Sequence, residues 1–265
     1  MQQQWKIFLS AIMFLTRLPV GRHMDHNEAL LQQTPRYLPL VGCVVAMIVL
    51  PVFIIFYQWV SPSLAILAMM ICSLLVTGAF HEDGFADVCD AFGGGWTKEK
   101  ILLIMKDSRL GTYGVAGLVS ILAAKFLLLQ QLITLLNTTE DKIVFYRLFA
   151  GICLAAHSSS RLMSVWVIQL YQYVTADDGS KSKPLASQKL SPVGMCIAIA
   201  GAIAAFLLLP PNFLLVFFLQ LPVTLLLANY FKKWIGGYTG DCLGAVQQVA
   251  EICFYLAAII IWKYI

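Results

Sequence analysis

The residues His81-Glu82-Asp83-Gly84-Phe85-Ala86-Asp87-Val88-Cys89-Asp90 place four carboxylates within nine positions, directly after a long apolar run. Asp83, Asp87 and Asp90 stand at i, i+4 and i+7, which is one stripe of a helix if the stretch is helical. Such a stripe repels itself unless something positive lies on it. A hard divalent cation answers that need, because carboxylate oxygens suit Mg²⁺ far better than softer metals. Two other polar segments carry complementary parts. One holds Gly93-Gly94-Gly95 and then Lys106-Asp107-Ser108-Arg109-Leu110-Gly111-Thr112-Tyr113-Gly114; the other is Gly236-Gly237-Tyr238-Thr239-Gly240-Asp241-Cys242-Leu243-Gly244. Carboxylates for a metal, glycines whose backbone N–H groups can approach an anion, and Lys106 and Arg109 nearby are the parts of phosphoryl transfer. There the protein mostly positions groups and neutralises charge. A plainer reading stands beside each part. An aspartate outside a span is ordinarily just solvated, a glycine run is a flexible turn, and Asp107 with Arg109 is a local ion pair, worth little when exposed.

The elements that must position these groups are apolar helices. The chain has 265 residues, 60% hydrophobic and 12% charged, with mean hydropathy +0.79. Soluble domains run nearer 45–50% apolar and about 25% charged. The composition predicts one all-α, polytopic membrane domain over residues 1–265. Apolar runs of near-bilayer length fall at 37–59, 63–80, 115–136, 143–173, 193–209, 213–231 and 245–262. That is about seven transmembrane helices. The run between Trp5 and Leu15 is too short to span, and no small-residue cleavage site follows it, so it reads as an interfacial helix rather than a signal peptide. His157-Ser-Ser-Ser-Arg161 interrupts the fourth run. Residues 81–114 read as a membrane-external loop or a pair of short helices, and 174–192 as a second polar loop.

Charge orients the map. With residues 1–36 assigned to the cytoplasm and the spans alternating, cytoplasmic segments hold thirteen Lys and Arg and the opposite face two. That positive-inside bias puts every motif-rich segment on the cytoplasmic side. The net charge of +4 is therefore an orientation signal and gives no reason to expect nucleic acid. The seven cysteines include no C-x-x-C pair and read as small buried hydrophobes; His23 and His26 make no zinc set. Lys125, Arg161 and Glu251 fall inside expected spans, where charges are paired or face a cavity. Two readings stand: Lys125 and Glu251 pair structurally, or Lys125 and Arg161 line a cavity open to the cytoplasm and hold an anionic substrate.

Several stretches together resemble one family, the cobalamin synthases (adenosylcobinamide-GDP ribazoletransferases) of bacteria and archaea. They are Thr16-Arg17-Leu18-Pro19-Val20, Pro39-Leu40-Val41-Gly42, the acidic segment from Gly78 to Asp90, Met105 to Gly114, Lys125, Ser160-Arg161, and Gly237 to Ala245. One departure is visible: the family usually continues its acidic motif with Asp-Gly, and here Ala91 follows Asp90. The resemblance implies a Mg²⁺-dependent enzyme of the bacterial inner membrane, multi-pass, with its site facing the cytoplasm. It would join adenosylcobinamide-GDP to α-ribazole, or its 5′-phosphate, and release GMP. Together with the spacing and chemistry of the acids, this makes Glu82, Asp83, Asp87, Asp90 and Asp107 the expected metal ligands. Asp90, Arg109 and Lys106 become catalytic. Gly84, Gly93, Ser108, Gly111, Thr112, Lys125, Arg161, Thr239, Gly240 and Asp241 become substrate-binding. Expected partners are the corrinoid-GDP and ribazole substrates and membrane lipid; a homo-oligomer and other nucleotide-loop assembly enzymes stay open, and no nucleic acid is expected. The CDP-alcohol phosphotransferases also put an Asp-Gly-Ala motif at a helix end, with different spacing. A transporter would want its acids near the midplane and paired repeats, and no repeat shows.

Overall fold

Proline, glycine and serine mark several of the helix boundaries in the computed structural model of the protein, which describes residues 2–20, 28–174 and 188–264. Helix α1 (Gln2–Leu15) buries Ile7, Ala11, Ile12 and Leu15 and leaves Trp5 exposed, the one-sided pattern of an amphipathic helix. The Thr16 hydroxyl donates to the Ile12 carbonyl, and Arg17 N–H donates to the Val76 carbonyl, tying this end to a later helix. After the short α2 (Glu28–Leu31) and a 3₁₀ turn, α3 (Leu38–Trp59) places Pro39 in its first turn, where no intrahelical donor is lost. Ser61 caps α4 (Pro62–Thr77) by accepting from Leu64 N–H.

Gly78 and Ala79 then turn the chain through 88° into α5 (Phe80–Gly94). Both are left-handed, at φ 65° and 56°. For Ala79 that conformation costs roughly 1–2 kcal/mol. The acidic motif therefore lies on a helix rather than in a loop, and α5 with α6 (Lys98–Met105) forms the expected pair of short helices. The helix runs on through Ala91, which is buried, and ends at Gly95.

Helix α7 (Thr112–Leu136) leads away from the acidic end of the bundle and α8 (Lys142–Leu170) returns. The expected interruption at residues 157–161 is absent: α8 is continuous there and all five side chains are buried. Polar residues facing other helices do not break a helix. α9 (Pro192–Ala204) gives way to a 3₁₀ turn ending at Leu208; a second one (Pro211–Val216) leads into α10 (Phe217–Ile235), and α11 (Gly240–Tyr264) closes the bundle. Among the described residues all regular elements are helical. Five are long and apolar enough to cross a membrane, or six if α4 and α5 count as one bent span. The chain is thus a multi-pass membrane protein, but the count of seven is not confirmed. Gly78 stops α4 at 16 residues, and the apolar stretch Pro192–Leu208 is short and breaks into 3₁₀ geometry. Most of the loop expected at 174–192 falls outside the described residues.

Helices α8 and α11 are buried over most of their length and run through both of two apolar cores, which follow one another along them. Between these runs a polar seam. Lys125 Nζ lies 3.2 Å from Glu251 Oε2 and donates to Gln248 Oε1 at 3.1 Å. Gln248 Nε2 donates to Glu82 Oε1 at 2.9 Å, carrying the chain of contacts into α5. Gln247 and Tyr255 both donate to Glu251, and Gln247 also reaches Ser160 Oγ on α8. Of the two readings for Lys125, the structural pair with Glu251 is what the structure contains.

Lys125→Met leaves the Glu251 carboxylate buried without its cation, a loss of roughly 3–5 kcal/mol. Thermal unfolding in detergent is expected to show a large fall in Tm for this variant. Lys125→Met combined with Glu251→Met is expected to recover most of it; a double variant as unstable as the single one rules the pair out as the cause.

Candidate active site

The acidic helix is seated by glycine against glycine. A Cβ on Gly84 of α5 would come 3.0 Å from the Asp241 Cα and carbonyl oxygen, and one on Gly244 of α11 would come 3.0 Å from the His81 carbonyl. Without side chains at these points the two helices close to backbone contact. That crossing sets Asp241, in the first turn of α11, beside the carboxylates of α5. The position also suits it electrostatically, since a helix N-terminus favours negative charge. Thr239 caps the same helix by accepting from Cys242 N–H at 3.3 Å. The segment before it is pinned by two backbone hydrogen bonds, Tyr238 N–H to the Gln172 carbonyl and Val174 N–H to the Tyr238 carbonyl.

Asp83, Asp87, Asp90 and Asp241 form one electrostatic group. Half-buried Asp87 has its carboxyl pushed up to about 7, first by burial and then by the charges of Asp241, Asp83 and Asp90. An all-oxygen donor set that raises its own proton affinity fits a hard divalent cation, whose charge would replace the proton. Among the described residues, however, no three acid, histidine or cysteine side chains converge as a ready ligand set. Mg²⁺ does not require one, because it keeps several waters and is ordinarily held by one or two carboxylates together with substrate phosphates.

The five carboxylates expected as ligands therefore divide. Asp83 is exposed and Asp87 half-buried, both within the group. Asp90 is otherwise engaged: its two oxygens accept from Gly111 N–H at 2.7 Å and Gly114 N–H at 2.8 Å, so that α5 supplies the N-terminal cap of α7. Glu82 turns inward to Gln248 and leaves Oε2 without a partner. Asp107 binds Arg109 through the Arg109 backbone N–H at 3.1 Å and through the guanidinium at 2.5–3.1 Å. Those bonds hold the exposed Asp107 carboxyl down at about 2. Arg109 is itself exposed in this local pair, as are Lys106, Ser108 and Thr112 along the same edge.

The glycines expected to cradle an anion do meet one, but it belongs to the protein. A Cβ on Gly111 would lie 2.5 Å from Asp90 Oδ1, and the neighbours of Gly114 again include the Asp90 carboxylate. Gly93 instead makes room for the Tyr113 ring. Gly240 borders an apolar cavity that also contains Arg161, whereas Lys125 lines a different one with Glu82, His157 and Glu251. The sequence analysis assigned no role to Gln247, Gln248 or Tyr255. Their spacing with Glu251 on one helix face was a usable signal, since polar side chains recur there within an apolar run. It likewise assigned none to Arg17, whose exposed side chain packs over Gly78 at the corner leading into α5.

Comparison with known proteins matches this chain to the family profile described as Cobalamin-5-phosphate synthase over residues 7–259. An adenosylcobinamide-GDP ribazoletransferase from Leptospira interrogans is 41% identical over 273 residues, covering 100% of this chain and 99% of that protein. One from Shewanella piezotolerans is 43% identical over 261 residues, covering 98% and 97%. A third, from Vibrio parahaemolyticus, is 40% identical and covers 100% and 96%. No solved structure matches.

Asp90→Ala leaves the Gly111 and Gly114 amides unpaired and is expected to cost about 1–3 kcal/mol. Asp90→Asn keeps one acceptor oxygen and should lose less. The order of Tm values in detergent, wild type above Asn above Ala, checks the capping role; an unchanged Tm for the Ala variant removes it.

Proposed function

The chain belongs to the cobalamin-5-phosphate synthase family, and from that premise we propose that it transfers the phosphocobinamide moiety of adenosylcobinamide-GDP to α-ribazole or its 5′-phosphate, releasing GMP. The supporting observation is the near-complete alignment with enzymes named for that transfer. The group of Asp83, Asp87 and Asp241 at the α5–α11 crossing gives it a chemical location. A ribose hydroxyl attacks the cobinamide-side phosphorus. The new P–O bond forms as the phosphoanhydride bond to GMP breaks, and the hydroxyl proton leaves to a carboxylate or to water. The family description names a product that keeps a 5-phosphate. In that form the 5′ oxygen is already esterified, so another ribose hydroxyl attacks.

Asp83, Asp87 and Asp241 would hold Mg²⁺, which when bound neutralises charge on the diphosphate. Asp90 acts at one remove, by fixing α7 against α5. Lys106 and Arg109, at the exposed edge, draw the polyanionic substrate in, with Arg109 exchanging its Asp107 partner for phosphate oxygens. Ser108 and Thr112 offer hydroxyl donors on that edge. On the alternation of apolar runs read from the sequence, the thirteen-to-two distribution of Lys and Arg supports a site facing the cytoplasm from the inner membrane. The corrinoid-GDP and the ribazole are then the partners, met at the membrane surface.

Asp83→Ala, Asp87→Ala and Asp241→Ala are each expected to slow GMP release at least about a hundredfold. Membrane insertion and Tm should stay near wild type. Removing divalent ions with a chelator should have the same effect and Mg²⁺ should reverse it. Normal turnover in all three variants, or in metal-free enzyme, refutes the site and its metal respectively.

A further inference from the structure

Behind the acid group, on the side of α5 and α11 that faces α1, lies a separate cavity of about 460 Å³ counting its open mouth. Phe14 and Phe80 wall it, their rings packed edge to face at 5.5 Å; Leu243 and Gly240 of α11 and His81 of α5 close it. Among its lining residues is Arg161 of α8, only 2% exposed. Its Nη1 donates to the His157 carbonyl at 2.8 Å, and its Nε has no partner. A buried guanidinium donor left unpaired in an apolar cavity is costly to the protein, and it points to a ligand atom that accepts there.

Three observations define that ligand. The walls are mainly apolar and partly aromatic, which suits a flat ring. A guanidinium both donates to ring nitrogens and stacks on aromatic faces. The charges of Glu251 and Glu82 already act on Arg161, so the pocket is not a bare positive hole and a neutral ligand fits it better than a phosphate. We propose that this cavity binds the aromatic base of the nucleoside acceptor, with Arg161 donating to its free ring nitrogen. This rests on the ribazole transfer proposed above, where the base is a dimethylated benzimidazole: bicyclic, apolar and carrying one unsubstituted nitrogen. Gly240 borders the cavity and Asp241 is the next residue. A base held here therefore presents its ribose to the carboxylates. The acceptor enters beneath α1, while the diphosphate binds on the far side of the α5–α11 crossing.

The test uses the full-length protein in detergent or nanodiscs, with α-ribazole and an isostere in which indole replaces benzimidazole, removing the acceptor nitrogen. Wild type is expected to bind α-ribazole at least tenfold tighter than the isostere, and Arg161→Gln to erase that preference. In turnover, Arg161→Gln and the cavity-filling Leu243→Phe should raise KM for ribazole tenfold or more and leave KM for the corrinoid-GDP unchanged. A diazirine placed on the benzimidazole reports on wild-type protein alone, whatever the variants do to folding. Its label should fall on Phe14, Phe80 or Leu243. Label found elsewhere, a change confined to the corrinoid KM, or a lipid chain that occupies the cavity and is not displaced by ribazole overturns the assignment. If wild type releases no GMP from the corrinoid-GDP at all, the transferase reading fails; if it does and the acceptor results fail, only the cavity assignment falls.

Discussion

A lysine ammonium 3.2 Å from a glutamate carboxylate, both enclosed by apolar helices, sets the terms for everything around it. An ion in such surroundings is tolerable only with a partner and with its remaining hydrogen-bonding capacity filled. Gln247, Gln248 and Tyr255 supply that filling from the same face of α11, and Gln248 passes the contact on to Glu82. One chain of bonds thus links α7, α11 and α5. The helix that carries the acidic stripe is held through its first turn by the interior of the bundle, not by surface contacts alone.

The opposite edge of α5 has the reverse character. There the protein gathers like charges, and burial together with the charges of Asp241, Asp83 and Asp90 raises the proton affinity of Asp87. Close backbone approach at Gly84 and Gly244 keeps Asp241 in the group despite repulsion. Asp90 escapes by satisfying two amides of α7. The same helix is therefore neutralised inward, repulsive outward and anchoring at its far end.

Much of this was legible in the sequence, and the reasons are local. Apolar runs separated by polar segments gave the membrane class, and the i, i+4 spacing of Asp83 and Asp87 gave the helical stripe. What was not legible depended on contacts distant in the chain. Asp90 looks like its neighbours in sequence, and only Gly111 and Gly114, more than twenty positions on, distinguish it. Glu82 is one residue from Asp83, yet a helix turns it about 100° away, toward Gln248. The glycines read as places where an anion could approach the backbone meet protein groups instead, Gly111 and Gly114 the Asp90 carboxylate and Gly93 the Tyr113 ring, and sequence alone cannot say which approaches. The span count of seven is not confirmed, because hydrophobicity does not show that helices end early at Gly78 and in the 205–211 stretch.

The polar seam also has a direction in time. A ribosome delivers Glu82 and then Lys125 more than a hundred residues before Gln248 and Glu251. During synthesis, α5 and α7 must wait in or beside the bilayer with their buried charges unmatched, stabilised by water or by the insertion machinery. The arrival of α11 closes both gaps at once. The final helix is thus the keystone of biogenesis, and a chain cut short before it would expose orphan charges to the quality-control proteases that patrol the membrane.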